Sequence, residues 1–321
     1  MRIGFIGIGN MGAPMAGHIA RGGHTVTVYD CDPDRVSRFA TANGCRGART
    51  FADLADSELV ITMLPDGHVV RSVMMGASAA ASAAASAAAS AAASAAASAA
   101  ADAAEGGLAR HLPRGALFVD MSSSDPVGTR TLGAELAALG IVMLDAPVSG
   151  AVPRATLGTL AIMIGGDDKA AIERAKPILR LMGDRLFETG GLGSAHAMKS
   201  LNNFIAAATF AASAEALLIG QRFGLDPATM FDIINVSTGR SFISEVVMKD
   251  HVITGKFSTG FSVGLLAKDV RIAADLGEAM NLDAPVLRLV RDRWALARDR
   301  LGATRDNAEA VKSWDENLKD A

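Results

Sequence analysis

The first stretch of the chain, residues 2 to 30 (RIGFIGIGNMGAPMAGHIARGGHTVTVYD), decides the fold. It begins with an apolar run of strand length and passes through a glycine-rich turn into a segment with helical spacing at 13–21. A second strand follows and ends at Asp30. A strand, a turn, a helix and a second strand in this order form the unit from which parallel α/β sheets are built. We therefore predict a parallel sheet at the start of the chain.

The turn of this unit has G-x-G-x-x-G spacing and consists of Gly7, Ile8, Gly9, Asn10, Met11 and Gly12. That spacing predicts a tight turn at Gly7, close approach of a pyrophosphate at Gly9 and close helix packing at Gly12. The helix N-terminus would then face the phosphates of a dinucleotide. Asp30 lies 18 residues beyond Gly12, where a carboxylate accepts hydrogen bonds from ribose hydroxyls and repels a 2′-phosphate. The pattern favours NAD over NADP; a coincidental glycine-rich turn is the alternative.

Four more segments of strand character follow, at 59–65, 116–123, 141–149 and 159–166. Helical segments separate most of them, so the pattern predicts a doubly wound parallel sheet. Ligands bind at the carboxyl ends of the strands in such sheets. Those ends contain Leu64-Pro65, Ser122-Ser123 and residues 147–150, which offer hydroxyl groups and backbone amides but no cluster of metal ligands.

A second informative stretch, GGLGSAHAMKSLNN at 190–203, opens the longest helix that the sequence predicts. From about residue 194 to 223 no proline occurs and apolar residues recur at helical spacing, and Gly224 then ends the helix. Lys199, Asn202 and Asn203 stand at i, i+3 and i+4, so they are neighbours on its surface. Asparagine is a poor helix former, and two in succession indicate a ligand beside Lys199. The alternative is a solvated lysine next to two surface amides.

The composition narrows the class of protein. A length of 321 residues suffices for two domains, and we predict a Rossmann domain at 1–190 followed by an all-α domain at 191–321. The formal net charge of −3 argues against nucleic-acid or anionic-membrane partners. Two cysteines are too few for a disulfide framework and indicate a reducing compartment, the cytoplasm. We expect neither a secretory signal nor an apolar run long enough to span a bilayer.

Residues 77 to 104 interrupt the α/β pattern with a four-residue alanine-serine repeat. Alanine has the highest helix propensity, so a helix is favoured over a coil. The repeat nevertheless lacks an apolar stripe with which a helix could pack. We interpret it as an insertion into a connection between a strand and a helix, without a role in function.

Together these stretches resemble the β-hydroxyacid dehydrogenase family, which includes 3-hydroxyisobutyrate dehydrogenases and tartronate semialdehyde reductases. Four blocks carry the resemblance: GFIGIGNMGAPMA (4–16), MLDAPVSGAVPRATLGTLAIMIGG (143–166), GGLGSAHAMKSLNN (190–203) and LLAKDVRIA (265–273). The resemblance implies a Rossmann domain and a long helix leading into a helical C-terminal domain like that of 6-phosphogluconate dehydrogenase. It also implies hydride transfer between NAD and a small β-hydroxy acid, no metal, and a homodimer or homotetramer.

The resemblance implies roles for individual residues as well. Lys199 matches the catalytic general acid and base, and Asn203, with Asn202 beside it, matches the residue that positions substrate. The positions that hold the substrate carboxylate are matched by Ser122, Ser149, Gly150 and Ala151. Contacts to the nicotinamide nucleotide are matched by Leu64, Pro65, Ser123 and Lys268. The family usually has glycine where this chain has Ala151 and Ala195, so two extra methyl groups bear on the size of the substrate.

Other readings stay open at this point. Ser122 could cap a helix, residues 147–150 could form an ordinary turn, and Lys268 with its neighbour Asp269 could be a solvated pair on a helix. Imine reductases share the architecture but generally lack the lysine. A chain that binds a dinucleotide without catalysis is the other rival, and it would have no reason to keep Lys199, Asn203 and Ser122 together.

Overall fold

The computed structural model of the chain describes residues 1–76 and 107–314. It divides into two compact units, Met1–Lys199 and Ser200–Ala321. The division falls inside the long helix, whereas the sequence analysis placed the domain boundary at residue 190. The alanine-serine insertion predicted at 77–104 lies outside the described residues.

The described residues of the first unit form one sheet of nine strands. The strands are β1 Arg2–Ile6, β2 Thr25–Tyr29, β3 Arg46–Gly47, β4 Leu59–Thr62, β5 Leu117–Asp120, β6 Val142–Asp145, β7 Val148–Ser149, β8 Ala161–Gly165 and β9 Arg185–Gly190. They lie in the order β3-β2-β1-β4-β5-β6-β8-β7, and β9 pairs with β8. Every pair from β3 to β6 is parallel, which confirms the Rossmann fold class.

The far end of the sheet departs from the predicted all-parallel arrangement. Strand β8 runs antiparallel to β6 and β7, and β9 runs parallel to β8. The predicted strand at 141–149 is divided into β6 and β7 because Pro147 cannot donate a ladder hydrogen bond. Only residues 150–160 connect β7 to β8, fewer than a parallel crossover normally needs. Connection length therefore sets the strand direction here.

Helices cover the sheet of the first unit. They are α1 Gly12–Arg21, α2 Pro33–Asn43, α3 Gly67–Met75, α4 Pro126–Ala138, α5 Ala151–Leu157 and α6 Lys169–Leu179. Two groups of buried apolar side chains pack on the sheet, one with Phe5 and Met15 and the other with Phe118 and Leu136. Parallel strands buried on both sides read as continuous apolar runs, as the sequence indicated.

The second unit is all helical among its described residues. Helix α7, Ser194–Phe223, runs into it and is followed by α8 Pro227–Asn235, a π-helix Ile243–Ile253, α9 Val263–Ala279 and α10 Pro285–Leu301. The bounds of α7 confirm the predicted long helix, and Gly224 ends it with a φ of +95°. Trp314 packs edge to face against Phe210 and Trp294 in the core, and the rings of Phe210 and Trp294 are tilted relative to each other. A 3-10 helix, Asn307–Ser313, buries its apolar side chains in that core.

Helix α7 is long and apolar enough, by length and composition, to cross a membrane. No run of that kind was expected from the sequence, and the length and composition of α7 correct this expectation. Many alanines raise the apolar average of the helix although polar residues such as Lys199 and Asn203 interrupt it. A core helix of a soluble protein passes the same test. Of the most apolar 18-residue stretch of this helix, only 33% is buried, so much of the helix surface is exposed in a single copy of the chain.

Candidate active site

The glycine-rich turn has the geometry that its spacing predicts. Gly7 has a φ of +89°, and a Cβ atom there would lie 2.4 Å from the Met63 carbonyl oxygen. At Gly12 a Cβ atom would lie 1.8 Å from the Gly7 carbonyl oxygen, so a side chain would push the helix off the turn. A Cβ atom at Gly9 meets nothing within 4 Å. Gly9 therefore borders open space on the face of the turn where a pyrophosphate is expected.

The N-terminus of α1, like that of α5, has no side-chain cap. In the described part of the chain, five α-helices begin with an aspartate whose carboxylate accepts a backbone N–H of the first turn: Asp32, Asp66, Asp125, Asp168 and Asp226. At the start of α1, Met11 stands at the cap position and no such side-chain bond is made among the described residues. The first amides of a helix lack helical partners and attract anions. The turn from Gly7 to Gly12, with exposed Asn10, thus fits the pyrophosphate of a dinucleotide.

Asp30 lies at the end of β2, and its carboxylate is held from both sides. The Ile8 N–H donates to Oδ2 at 2.9 Å, while Arg35 Nη1 and the Asp32 N–H donate to Oδ1 at 2.9 and 3.1 Å. Burial, together with the Asp30 charge, raises the pKa of the Cys31 thiol to about 11, so this thiol stays protonated and donates to Oδ1. Asp30 is thereby fixed next to the glycine-rich turn.

The ends of β4 and β5 bring together Leu64 and Ser122. The Leu64 N–H donates to the Ser122 hydroxyl oxygen at 2.9 Å, and the Ser122 N–H donates to Asp120 Oδ1 at 3.0 Å. Ser122 is fully buried, whereas Ser123 is half-buried and Pro65 is exposed. Asp125, rather than Ser122, caps the following helix α4. The helix-cap reading of Ser122 is therefore wrong.

The segment after β7 carries backbone strain. Ser149 is paired with Ala161 in the sheet, so residues 147–150 are not an ordinary turn. Gly150 has a φ of +133°, a value that L side chains rarely adopt. Ala151 follows with a φ of +53°, in the left-handed region that costs a non-glycine residue free energy. The alanine that replaces the usual family glycine thus occupies a glycine-like conformation.

The start of α7 is anchored by Asp145, the last residue of β6. Its Oδ1 accepts the Gly193 N–H and its Oδ2 accepts the His196 N–H, each at 2.8 Å. A buried carboxylate satisfies amides of the first helical turn and opposes the helix dipole favourably. Lys199 stands one turn further along the helix. Sequence reasoning missed Asp145, because only the fold brings a strand end to this helix start.

On α7 itself Lys199 is flanked by the two asparagines. With about 100° per residue, Asn203 lies about 40° from Lys199 on one side and Asn202 about 60° on the other. Lys199 is half-buried, Asn203 is buried and Asn202 is exposed. Asn202 Nδ2 donates to Asn203 Oδ1 at 3.2 Å. Asn203 is buried, so the alternative interpretation, that both asparagines are surface amides, is correct only for Asn202.

A buried aspartate in the second unit holds Asn203. Asp269 Oδ2 accepts from Asn203 Nδ2 at 2.6 Å, and Lys268 Nζ lies 3.4 Å from Asp269 Oδ1. The side chains of Lys268 and Asp269 are 16% and 3% exposed, so the reading of a solvated pair is wrong. Asp269 was missed as a site residue because 66 residues separate it from Asn203. It orients the amide, leaving the second Nδ2 proton of Asn203 for another acceptor.

Within residues 1–76 and 107–314 no group of three or more His, Cys, Asp or Glu side chains could hold a metal ion. The first unit supplies a glycine-rich turn, Asp30 at the end of β2, the Ser122 hydroxyl and Lys199, and the second unit supplies the amide of Asn203.

Two family profiles match this chain along most of its length. The profile described as the NAD binding domain of 6-phosphogluconate dehydrogenase matches two segments, 2–104 and 80–191. The profile described as NAD-binding of NADP-dependent 3-hydroxyisobutyrate dehydrogenase matches residues 193–314.

Individual proteins are similar over nearly the full chain. A 2-(hydroxymethyl)glutarate dehydrogenase of Eubacterium barkeri is 32% identical, with 98% of this chain and 95% of the relative covered. A 3-hydroxyisobutyrate dehydrogenase of Pseudomonas aeruginosa is 31% identical, with 92% and 91% covered. The solved structure of a Mycobacterium tuberculosis 3-hydroxyisobutyrate dehydrogenase with L-serine matches with a TM-score of 0.80 at 29% identity, covering 98% of both chains.

Proposed function

The chain belongs to the β-hydroxyacid dehydrogenase family, and from this premise we propose that it transfers a hydride between NAD and a small β-hydroxy acid, with Lys199 as general acid and base. The nicotinamide-dependent oxidation of a CH–OH donor follows from the family. The identity of the acid and the role of Lys199 are the proposal. The observation that carries it is the half-buried Lys199 beside Asn203, whose amide is oriented by Asp269.

In the proposed reaction the residues of the protein transfer one proton. NAD, when bound, supplies the hydride chemistry. Lys199 donates a proton to the substrate oxygen during reduction and withdraws it during oxidation, and its positive charge stabilises negative charge on that oxygen. The Asn203 amide donates to the substrate, since one of its two protons is directed at Asp269. Leu64, Pro65, Ser123 and Lys268 contact the nicotinamide nucleotide in this proposal.

The proposed substrate class, small β-hydroxy acids, is supported by the compounds that the names of the relatives contain. 3-Hydroxyisobutyrate, 2-(hydroxymethyl)glutarate and L-serine share the group HOCH2–CH(R)–COO−, and they differ only in R. We propose that this chain takes a substrate with the same group, including glycerate, or a threonate-like acid. Ser122 and the backbone at Ser149, Gly150 and Ala151 would receive the carboxylate. The methyl group of Ala151 favours a small R.

An assay of NAD reduction at 340 nm across these acids tests the function. We expect turnover of at least one β-hydroxy acid and none of a cyclic imine such as 1-pyrroline with NADPH. Imine reduction without hydroxy-acid oxidation would favour the imine reductase alternative. Binding of NADH without turnover of any member of the panel would favour a non-catalytic dinucleotide-binding protein.

The preference for NAD over NADP is proposed from the charges at the end of β2. Asp30, Arg35 and Asp32 form a cluster in which two carboxylates surround one guanidinium group, so its net charge is −1. Such a cluster repels a 2′-phosphate. The Ile8 N–H donates to Asp30 Oδ2, and a carboxylate oxygen has a second lone pair that can accept from a ribose hydroxyl.

The Asp30→Asn variant tests this preference. We expect NADH affinity to fall roughly tenfold, because a hydrogen bond to a charged acceptor is replaced by one to a neutral acceptor. NADPH affinity should rise, since one negative charge is removed. The measurement is the ratio of the two dissociation constants by nucleotide fluorescence. Asp34→Asn is the control, because it removes the same charge from an exposed position on α2. An unchanged ratio in Asp30→Asn would contradict the assignment.

We also propose that a second copy of the chain covers the exposed side of α7. Leu201, Ile205, Ile219 and Phe223 are 39%, 61%, 69% and 84% exposed. Helix geometry places these four within about 40° of one another and roughly opposite Lys199. The other side of the same helix is buried in the core of the second unit through Phe210 and Leu217. Large exposed apolar surfaces mark association sites, and a dimer or tetramer fits the family.

Ile219→Glu should break this association, because a carboxylate would be buried without a partner. Sedimentation velocity should give a multiple of 33.0 kDa for the wild type and a smaller assembly for the variant. Gln221→Glu is the control, since it adds the same charge on the opposite side of α7. A wild-type monomer that floats with lipid vesicles would show that a membrane covers the helix, and a wild-type monomer without vesicle binding would also overturn the proposal.

We propose that the protein is cytoplasmic, and the chemistry of its cysteines supports this location. Cys31 and Cys45 are both free thiols. Burial raises the pKa of each thiol, so both remain protonated and resist oxidation at neutral pH. Free thiols are typical of a reducing compartment. Fractionation of cells that produce the protein tests this location.

A further inference from the structure

A buried group of three ionisable side chains lies at the start of α7. Asp120 ends β5, Asp145 ends β6, and His196 belongs to the first turn of the helix. Each of the three side chains is at most 1% exposed. His196 Nε2 lies 3.7 Å from Asp120 Oδ2, and His196 Nδ1 lies 3.8 Å from Asp145 Oδ2. The proposed reaction assigns no part to this histidine.

The hydrogen bonds of Thr129 place a proton on one ring nitrogen of His196. The Thr129 hydroxyl has a single proton, which it donates to the Asp125 carbonyl oxygen at 2.9 Å. The same hydroxyl oxygen lies 2.8 Å from His196 Nδ1. With its proton directed at that carbonyl oxygen, Thr129 Oγ1 offers an acceptor to His196 Nδ1, and this arrangement favours a proton on Nδ1.

The second ring nitrogen faces a carboxylate. His196 Nε2 is buried, and no hydrogen-bond partner lies near it among the described residues; its charged neighbour is Asp120. A lone pair on Nε2 would face the Asp120 carboxylate in a buried environment, which is unfavourable. A proton on Nε2 removes this repulsion. It also reduces the net charge of the group, two carboxylates and one imidazole, from −2 to −1.

We propose that His196 is a positioning residue: a buried imidazolium ion that ties the first turn of α7 to the ends of β5 and β6. The same two carboxylates hold parts of the proposed active site. Asp120 fixes Ser122 through its backbone N–H, and also accepts the Thr62 and Ser124 hydroxyls. Asp145 fixes the helix turn that precedes Lys199. His196 thus sets the position of Lys199 relative to Ser122, and this inference rests on the roles proposed for those two residues.

The protonation of the ring can be observed directly in the wild-type protein. The chain has six histidines, and long-range ¹H–¹⁵N spectra of ¹⁵N-histidine-labelled protein at neutral pH resolve the state of each ring. We expect the His196 ring to have both nitrogens protonated, and we expect its signals to be missing from His196→Gln. A spectrum in which the assigned His196 ring has one unprotonated nitrogen would overturn the inference. If His196→Gln folds poorly, sequential backbone assignment of the wild-type protein identifies the His196 ring, so the result does not depend on that variant.

Kinetics test the positioning role. We expect His196→Gln to lower kcat at least about tenfold while the dissociation constant of NADH changes less than about twofold, because the glycine-rich turn is untouched. The control His111→Gln, at the end of the 3-10 helix Leu108–Arg110, should leave both unchanged. An unchanged kcat in His196→Gln would refute positioning.

A single and a double variant distinguish a role of the His196 charge from a role of its packing. His196→Gln leaves two buried carboxylates without a cation, so its melting temperature should fall by about 5 °C or more. The double variant His196→Gln with Asp120→Asn returns the buried charge to −1 and should regain most of that loss. Failure to regain it would show that the ring acts by packing alone. Absence of wild-type turnover, or full activity in a Lys199 variant, would contradict the proposed function. The spectrum of His196 would still test its protonation, because that measurement does not depend on turnover.

Discussion

We expect Lys199→Met to lower kcat for the hydroxy acid by about 10² to 10⁴, the range in which positioned acid–base groups contribute. Methionine keeps the length and apolar stem of the side chain but cannot donate or withdraw a proton. The dissociation constant of NADH should stay within about twofold of the wild type, because the glycine-rich turn and Asp30 are untouched. Steady-state kinetics with nucleotide fluorescence titration measures both.

Lys169→Met is the matched control, since it removes an exposed lysine from the start of α6. It should leave turnover and nucleotide binding unchanged. A Lys199→Met enzyme that loses NADH binding in parallel with turnover would mean that the lysine serves the cofactor instead. A variant with wild-type turnover would remove Lys199 from the reaction altogether.

Two single-methyl changes in the glycine-rich turn should have large and different effects. Gly9→Ala adds a Cβ atom that meets no protein atom within 4 Å, so the melting temperature should change little. The methyl group should nevertheless occupy the space through which the pyrophosphate approaches the backbone, and NADH affinity should fall at least about 100-fold. Gly12→Ala places its Cβ 1.8 Å from the Gly7 carbonyl oxygen, so both stability and NADH affinity should fall.

Gly9→Ala and Gly12→Ala serve as controls for each other in two measurements. Thermal unfolding separates the steric cost within the protein from the loss of a ligand, and fluorescence titration reports the nucleotide. Wild-type NADH affinity in Gly9→Ala would contradict the placement of the pyrophosphate at this turn. Unchanged stability in Gly12→Ala would contradict the close contact of α1 with the turn.

Features that depend on neighbouring residues along the chain were predictable. The turn from Gly7 to Gly12 follows from spacing alone, because left-handed backbone and close contacts require glycine at fixed positions. The bounds of α7 and its end at Gly224 follow from periodicity and the absence of proline. Lys199 and Asn203 share a side of that helix as a consequence of helix geometry.

Contacts between distant parts of the chain were not predictable. Nothing local to Lys268 indicates that its neighbour Asp269 is buried and bonded to Asn203. The same is true of Asp120, Asp145 and His196, which belong to three different elements. A buried carboxylate looks like a surface one in a sequence, because its hydrogen-bond donors come from elsewhere in the fold.

The sequence by itself determined the Rossmann class, the dinucleotide turn and the helix that carries Lys199, because each depends on backbone preferences within a few residues. Only the tertiary structure decided the antiparallel course of β8, the anchoring of α7 by Asp145 and the fixed amide of Asn203. These features depend on which buried polar groups meet. A buried charge or amide is tolerated only where partners from other elements satisfy it, and those partners are set by packing of the whole unit.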